Sequence, residues 1–220
     1  MDVAIAGGHG QVALRLARLL TAREDRARSL IRNPDYAGDV EAAGAEAVLC
    51  DLEAEEAPGV AKHVAGADAV VFAAGAGPGS GAERKRTVDL GAAVKLVEAA
   101  RRAGVRRYVI VSSIGAQDPE GGPEAMRPYL RAKAEADAAL ASSGLDFTIV
   151  RPGSLNDDPG TGRVALSTEL GRRGPIPRDD VAAVLLACLD VPETIGLTFE
   201  AFAGDQEVEL AVRALARGAS

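Results

Sequence analysis

A chain of 220 residues, 47% hydrophobic and 26% charged, is long enough for one α/β domain with a sizeable core and ordinary in composition. A net charge of −7 argues against nucleic acid or an anionic membrane as partner, and 3% aromatic residues with no Trp leave no base-stacking surface. No apolar run reaches transmembrane length, and no charged-then-apolar leader opens the chain. The two cysteines, Cys50 and Cys188, form no metal-spaced cluster, so no metal is expected and the protein is expected to be cytoplasmic and reduced.

The first twenty residues read as strand, glycine turn and helix. An apolar run over 3–6 predicts a buried strand. Gly7, Gly8 and Gly10 follow, and Val12, Leu14, Leu16, Leu19 and Leu20 then begin a helical period with Arg15 and Arg18 between them. The spacing fits two patterns, Gly8-x-Gly10-x-x-Ala13 (GxGxxG/A) and Gly7-x-x-Gly10-x-x-Ala13 (GxxGxxG). Glycine lacks a β-carbon, so backbone there comes close to a pyrophosphate. The helix start, at Gln11 and Val12, turns unpaired N–H groups and the positive end of its dipole to the anion. His9 reads as a turn residue near the phosphates rather than a catalytic base.

Further strands are predicted at 27–31, 47–50, 68–74, 107–112 and 146–150, and helices at 35–43, 57–65, 83–103 and 124–142. Gly44, Gly104 and Gly144 end three of these helices, and 75–81 reads as a flexible loop, as does 115–123. Strictly alternating strands and helices predict a Rossmann-type doubly wound, mostly parallel α/β sheet with helices on both faces, in a single domain over 1–220. From residue 151 the rhythm changes. The Gly-, Pro- and Asp-rich stretch 151–177 is expected to be mostly loop, followed by a helix at 179–189, a strand at 197–203 and a helix at 207–216. The part from 151 to 220 is where a substrate pocket is expected.

Arg32 ends the second strand, where an NAD-preferring site carries an acid for the ribose 2′-hydroxyl. An arginine pairs instead with a 2′-phosphate, so NADP(H) is expected over NAD(H). Asp51 is placed to accept from the adenine amino group with Leu52 against the ring, or to cap a local turn. Ala73, Ala74 and Gly75 are small enough for a ribose to lie on the backbone. Tyr129-x-x-x-Lys133 puts a phenol and an ammonium on one helix face. A cation beside a phenol stabilises its phenolate and makes tyrosine a usable proton donor. Ser112 and Ser113 end the fifth strand, where a substrate carbonyl would sit. Pro128 disfavours helical geometry at Arg127 and sets Tyr129 in the first helical turn.

Gly7-Gly8-His9-Gly10, Arg32, Asp51-Leu52, Ser112-Ser113-Ile114-Gly115-Ala116, Tyr129-x-x-x-Lys133 and Arg151-Pro152-Gly153 together resemble the atypical short-chain dehydrogenase/reductases. The nearest subgroup is the small NAD(P)H-binding type, similar to flavin reductases (biliverdin-reductase-B-like) and NmrA-like proteins. The resemblance implies that Gly7, Gly10 and Ala13 line the pyrophosphate, Arg32 holds the 2′-phosphate and Asp51 the adenine. It implies Tyr129 as general acid, Lys133 as its electrostatic partner and ribose ligand, and Ser113 (or Ser112) as the carbonyl-orienting hydroxyl. Arg151 and Pro152 would close the nicotinamide side. The function expected is an NADPH-dependent reductase of a small carbonyl, quinone or flavin; the alternative is a non-catalytic NADP(H)-responsive regulator of NmrA-like type. A nucleotide-sugar epimerase is a third reading, for which the chain looks short. The expected partner is a small molecule, not nucleic acid or membrane, and the two long helices at 83–103 and 124–142 offer a face for a homodimer.

Overall fold

The computed structural model describes residues 1–75, 77, 80–168 and 174–218, apart from the side chain of Ala82. The loop expected at 75–81 lies outside the described residues at 76, 78 and 79, as does 169–173 of the expected loop at 151–177.

The first half alternates as the sequence predicts. It runs β1 (Asp2–Ala6), α1 (Gln11–Ala22), β2 (Arg26–Ile31), α2 (Ala37–Ala42), β3 (Glu46–Leu49), α3 (Ala57–Val64) and β4 (Ala69–Phe72). A short turn α4 (Ala82–Arg84) leads through a π-helical stretch, Lys85–Ala92, into α5 (Ala93–Ala103). Then come β5 (Arg107–Val111), α6 (Arg127–Ala141) and β6 (Asp146–Pro152). The remainder is β7 (Ser154–Asn156), β8 (Arg163–Ser167), β9 (Pro175–Pro177), α7 (Arg178–Asp190), β10 (Thr198–Ala203), β11 (Gln206–Glu207) and α8 (Val208–Gly218).

Nine strands form one sheet in the order β11-β8-β10-β6-β5-β4-β1-β2-β3, parallel throughout except where β8 runs against β10 and β11. The order reverses at β1 and β4, which leaves a crevice outside their carboxyl ends. The two-residue alternation of side chains divides the core into two layers. Val3, Ile5, Val71, Val109 and Val150 pack with α1, α7 and α8, whereas Ala4, Ala6, Phe72, Ile110 and Ile149 pack with α3, α5 and α6. Among the described residues no helix is long and apolar enough to cross a membrane.

Three expectations are corrected. The stretch 151–177 carries three strands. Val164 of β8 is fully buried because the strand adds to the sheet edge beside β10, and β7 pairs with β9. These are short segments whose partners lie far along the chain, so local composition hides them. The helix expected at 83–103 is widened to π geometry over Lys85–Ala92, and Val88, Asp89 and Ala92 in it are buried. Arg127 is helical (φ −54°, ψ −44°) although Pro128 follows it. A 3₁₀ turn over Glu124–Met126 runs straight into α6, and Arg127 is held by its N–H to the Pro123 carbonyl (3.2 Å) and its Nε to the Gly122 carbonyl (3.3 Å).

Candidate cofactor and active site

The glycine turn sits between β1 and α1, at the crevice. Gly7 has φ +77°, and a β-carbon there would lie 2.6 Å from the Ala74 Cα, so no other residue fits. A β-carbon at Gly8 would lie 2.6 Å from the Ser29 Cβ. Gly10 is the N-cap of α1, which has no side-chain cap and no acid in its first turn. The leading N–H groups of a twelve-residue helix therefore face the crevice with no carboxylate of their own. This cradle suits a pyrophosphate.

Gly7, Gly8, His9 and Gly10 line a cavity of about 300 Å³ with Arg32, Asp51, Leu52, Ala73, Ala74 and Gly75. Tyr36, Cys50, Glu53 and Arg84 also line it, and no local sequence signal marked them. His9 stacks on Tyr36 (centroids 3.9 Å apart, planes 6° apart) and bonds Asp39 at 2.7 Å. Arg32 Nη1 donates to Glu53 Oε2 at 3.1 Å, and Arg84 Nη2 donates to the same oxygen at 3.2 Å. Asp51 borders the cavity, but its Oδ1 accepts from the N–H groups of Glu53 (2.8 Å) and Ala54 (3.3 Å), so it also caps the turn. Gln11 is exposed, its amide oxygen accepts from Arg15 at 2.7 Å, and it lines neither this cavity nor the larger one beside it.

A larger cavity of about 1070 Å³ shares Ala73, Ala74 and Gly75 with the first, so the two form one trench along the sheet edge. Val12, Ser112, Ser113, Tyr129 and Lys133 line it. Lys133 Nζ lies 5.8 Å from the Tyr129 ring centroid, 3.3 Å from Asp89 Oδ1, and donates to the Val111 carbonyl at 3.1 Å. Both members of the Lys133–Asp89 pair are buried. The two serines differ. Ser112 is buried and donates to Asp137 Oδ2 at 2.9 Å; Ser113 is half-buried and its Oγ donates to the neighbouring Ile114 carbonyl at 3.1 Å.

Arg151 does not face the trench. On β6 it shares a face with Ile149, toward α6, and bonds Asp137 Oδ2 through Nε (3.1 Å) and Nη2 (3.0 Å). Pro152 is buried and does not border the trench either, whereas Gly153, Ser154 and Leu155 do. Asp137 is therefore the hub of a network lying behind the site. Burial pushes its carboxyl up, against the opposing pull of Ser112 and Arg151. It stands four residues beyond Lys133 and eight beyond Tyr129, on the same helix face, a spacing visible in the sequence. At the far end of the cavity Gln117 donates to Glu200 at 3.1 Å, and nothing local in the sequence pairs those two.

A Rossmann sheet with this glycine cradle at its switch point, opening onto a trench that carries Tyr129 and Lys133, defines a nicotinamide-dinucleotide protein. Residues 7–192 match the NAD(P)H-binding family, and the chain belongs to it. It is 41% identical over 218 residues to the uncharacterized sugar epimerase YhfK of Bacillus subtilis, covering 98% of this chain and 100% of that one. A structure from Bacillus halodurans, provisionally named an NAD-dependent epimerase/dehydratase, superposes with a TM-score of 0.93 at 38% identity, covering 98% of this chain and 100% of that one. The oxidoreductase ylbE of Lactococcus lactis follows at 0.86 and 27% identity, covering 99% and 97%. The family and these neighbours comprise NAD(P)-dependent oxidoreductases and epimerases, and the chain is an NAD(P)-dependent enzyme of that kind.

Proposed function

We propose that the protein is an NADPH-dependent reductase of a small carbonyl, quinone or flavin, with Tyr129 as proton donor. The observation that carries this is Tyr129 on the wall of the larger cavity, with the Lys133 ammonium 5.8 Å from its ring. When bound, the reduced nicotinamide supplies the hydride. The protein's own part is positioning and the proton. Lys133, fixed by Asp89 and the Val111 carbonyl, keeps a positive charge beside the phenol as Tyr129 gives its proton to the developing alkoxide. Ser113 orients the carbonyl, because Ser112 is committed to Asp137. Gly7, Gly8 and Gly10 with the start of α1 hold the pyrophosphate, and Arg32 takes the 2′-phosphate in exchange for its bond to Glu53.

Two relatives with reductase names support the reading. One is a sanguinarine reductase of Eschscholzia californica, 32% identical over 47% of this chain. The other is a ketoreductase of Stigmatella aurantiaca, 33% identical over 69% of it. A second reading, epimerisation of a sugar with the cofactor retained, rests on the epimerase names of the Bacillus proteins. One assay separates them: NADPH oxidation against quinones, flavins and small aldehydes or ketones, with wild type beside Tyr129→Phe. Turnover that falls by about 100-fold or more in the variant supports the proposal. Turnover that survives makes Tyr129 a bystander to direct hydride delivery. Tight NADPH binding with no net oxidation by either protein turns the reading to the epimerase or the regulator.

A further inference from the structure

Only two cysteines and two histidines occur in the chain, and one of each meets a glutamate beside the cofactor cavity, whose wall includes Cys50. Cys50 directly follows β3, and its N–H is fixed on the Ile31 carbonyl at 2.8 Å. Glu55 lies in the turn before α3, and His63 in the last turn of α3. One ligand atom from each, the thiol sulfur, a carboxylate oxygen and an imidazole nitrogen, all lie within 4.8 Å of one another. From this cluster we propose that Cys50, Glu55 and His63 bind one thiophilic divalent cation, of which Zn²⁺ is the type.

The donor set is the argument. Sulfur, imidazole nitrogen and carboxylate oxygen are the three ligand types of protein zinc, and thiolate with carboxylate neutralises a dication. Ligands bonded at roughly 2.0–2.3 Å around a tetrahedral ion stand roughly 3–4 Å apart, so small side-chain rotations close the cluster. Glu55 is already aimed. Its Oε1 accepts from the Asp51 N–H at 3.1 Å, and its Oε2 stands 3.1 Å from His63 Nε2. The geometry also provides access and shelter. The Cys50 residue is 2% exposed, which keeps the soft ligand dry, while the His63 and Glu55 side chains are 29% and 33% exposed and give the ion a way in. Three protein ligands leave one coordination position for water. The pattern, Cys-x₄-Glu-x₇-His, is not one that a search for paired cysteines finds.

The test uses the full chain, freed of metal by a chelator and then titrated with Zn²⁺ against a chromophoric indicator, and separately with Co²⁺. The expected result is one equivalent bound, with a thiolate-to-cobalt charge-transfer band in the near ultraviolet. Cys50→Ala and His63→Gln should each weaken binding by at least roughly tenfold, while Cys188→Ala leaves it unchanged. Absence of stoichiometric binding, a cobalt complex without the charge-transfer band, or equal affinity in wild type and both variants overturns the site. The cobalt spectrum is read on the wild-type chain, so it stands even if a variant folds poorly.

Discussion

Deleting the Asp137 carboxylate is the sharpest test of how the site is held. Asp137 is 4% exposed and accepts three bonds, from Ser112 Oγ at 2.9 Å and from Arg151 at 3.0 and 3.1 Å. In Asp137→Ala the Arg151 guanidinium, its side chain only 18% exposed, loses its ion partner, and the buried Ser112 hydroxyl loses its acceptor. Removing one partner of a buried pair costs about 3–5 kcal/mol. The residual solvent at Arg151 argues for the lower end, about 3 kcal/mol, or roughly 6–12 °C in Tm for a chain of this size. Asp137→Asn costs less, because it keeps the shape and mimics the protonated form. Burial raises this carboxyl above its usual 3.8, so the folded protein favours the neutral form relative to the unfolded chain. Its stabilising share is full below the unfolded value and is lost as pH rises through the folded one. Wild type therefore loses stability relative to Asp137→Asn, which cannot ionise, as pH rises from below 3.8 through the raised folded value. Replacing the pair together, Asp137→Leu with Arg151→Met, recovers most of the single-variant loss. Urea unfolding followed by circular dichroism measures all of this. An Asp137→Ala protein within about 1 kcal/mol of wild type would refute the reasoning.

Other perturbations test the trench. Arg32→Asp removes a charge-assisted bond and adds a repelling charge, so NADPH affinity measured by calorimetry should fall roughly 10- to 100-fold with NADH little changed; equal losses, or none, would take Arg32 out of the phosphate site. Gly7→Ala forces a β-carbon to 2.6 Å from the Ala74 backbone at φ +77°. It should destabilise the fold by about 2–5 kcal/mol and weaken NADPH binding, and a variant that melts with wild type and binds normally contradicts the cradle. Burial pushes the thiols of Cys50 and Cys188 up to about 12 each. Only about one in ten thousand is then thiolate at pH 8, so a disulfide reagent should label neither in the native metal-free protein and both after unfolding. Rapid labelling of the native chain would show that the Cys50 environment is wrong.

What the sequence discloses is what one element carries by itself. β1, β4 and β5 are buried on both faces, and an unbroken apolar run bounded by turn residues is enough to find them. Gly104 caps α5 at φ +74°, where a side chain would be strained, so its place is legible, whereas α6 already ends at Ala141, before Gly144. The glycine turn and Tyr129-x-x-x-Lys133 are likewise local: four residues on a helix fix a shared face whatever lies opposite. β8 has no such signature. It is a strand because β10 is beside it, and a Gly- and Pro-rich neighbourhood says nothing of a partner some 35 residues away.

The electrostatics of the site belong to the same second kind. Lys133 is held by Asp89 from the π-helical stretch, Arg32 by Glu53, and Arg151 by Asp137, each across an element boundary. In each case the sequence offers a charge and leaves its partner open, and the partner decides the role. Arg151 shows the consequence. Its position after β6 suggested the nicotinamide side, but strand alternation turns it to the α6 face, where a buried carboxylate is waiting. A buried charge must find its counter-charge before anything else, because leaving it unpaired costs more than any contact with a cofactor would return. The residues still available to substrate are therefore those whose needs are met locally, Ser113 by its neighbour's carbonyl. This favours Ser113 as the serine we propose for the substrate carbonyl, while Ser112 and Arg151 belong to the frame that holds α6 against β5 and β6.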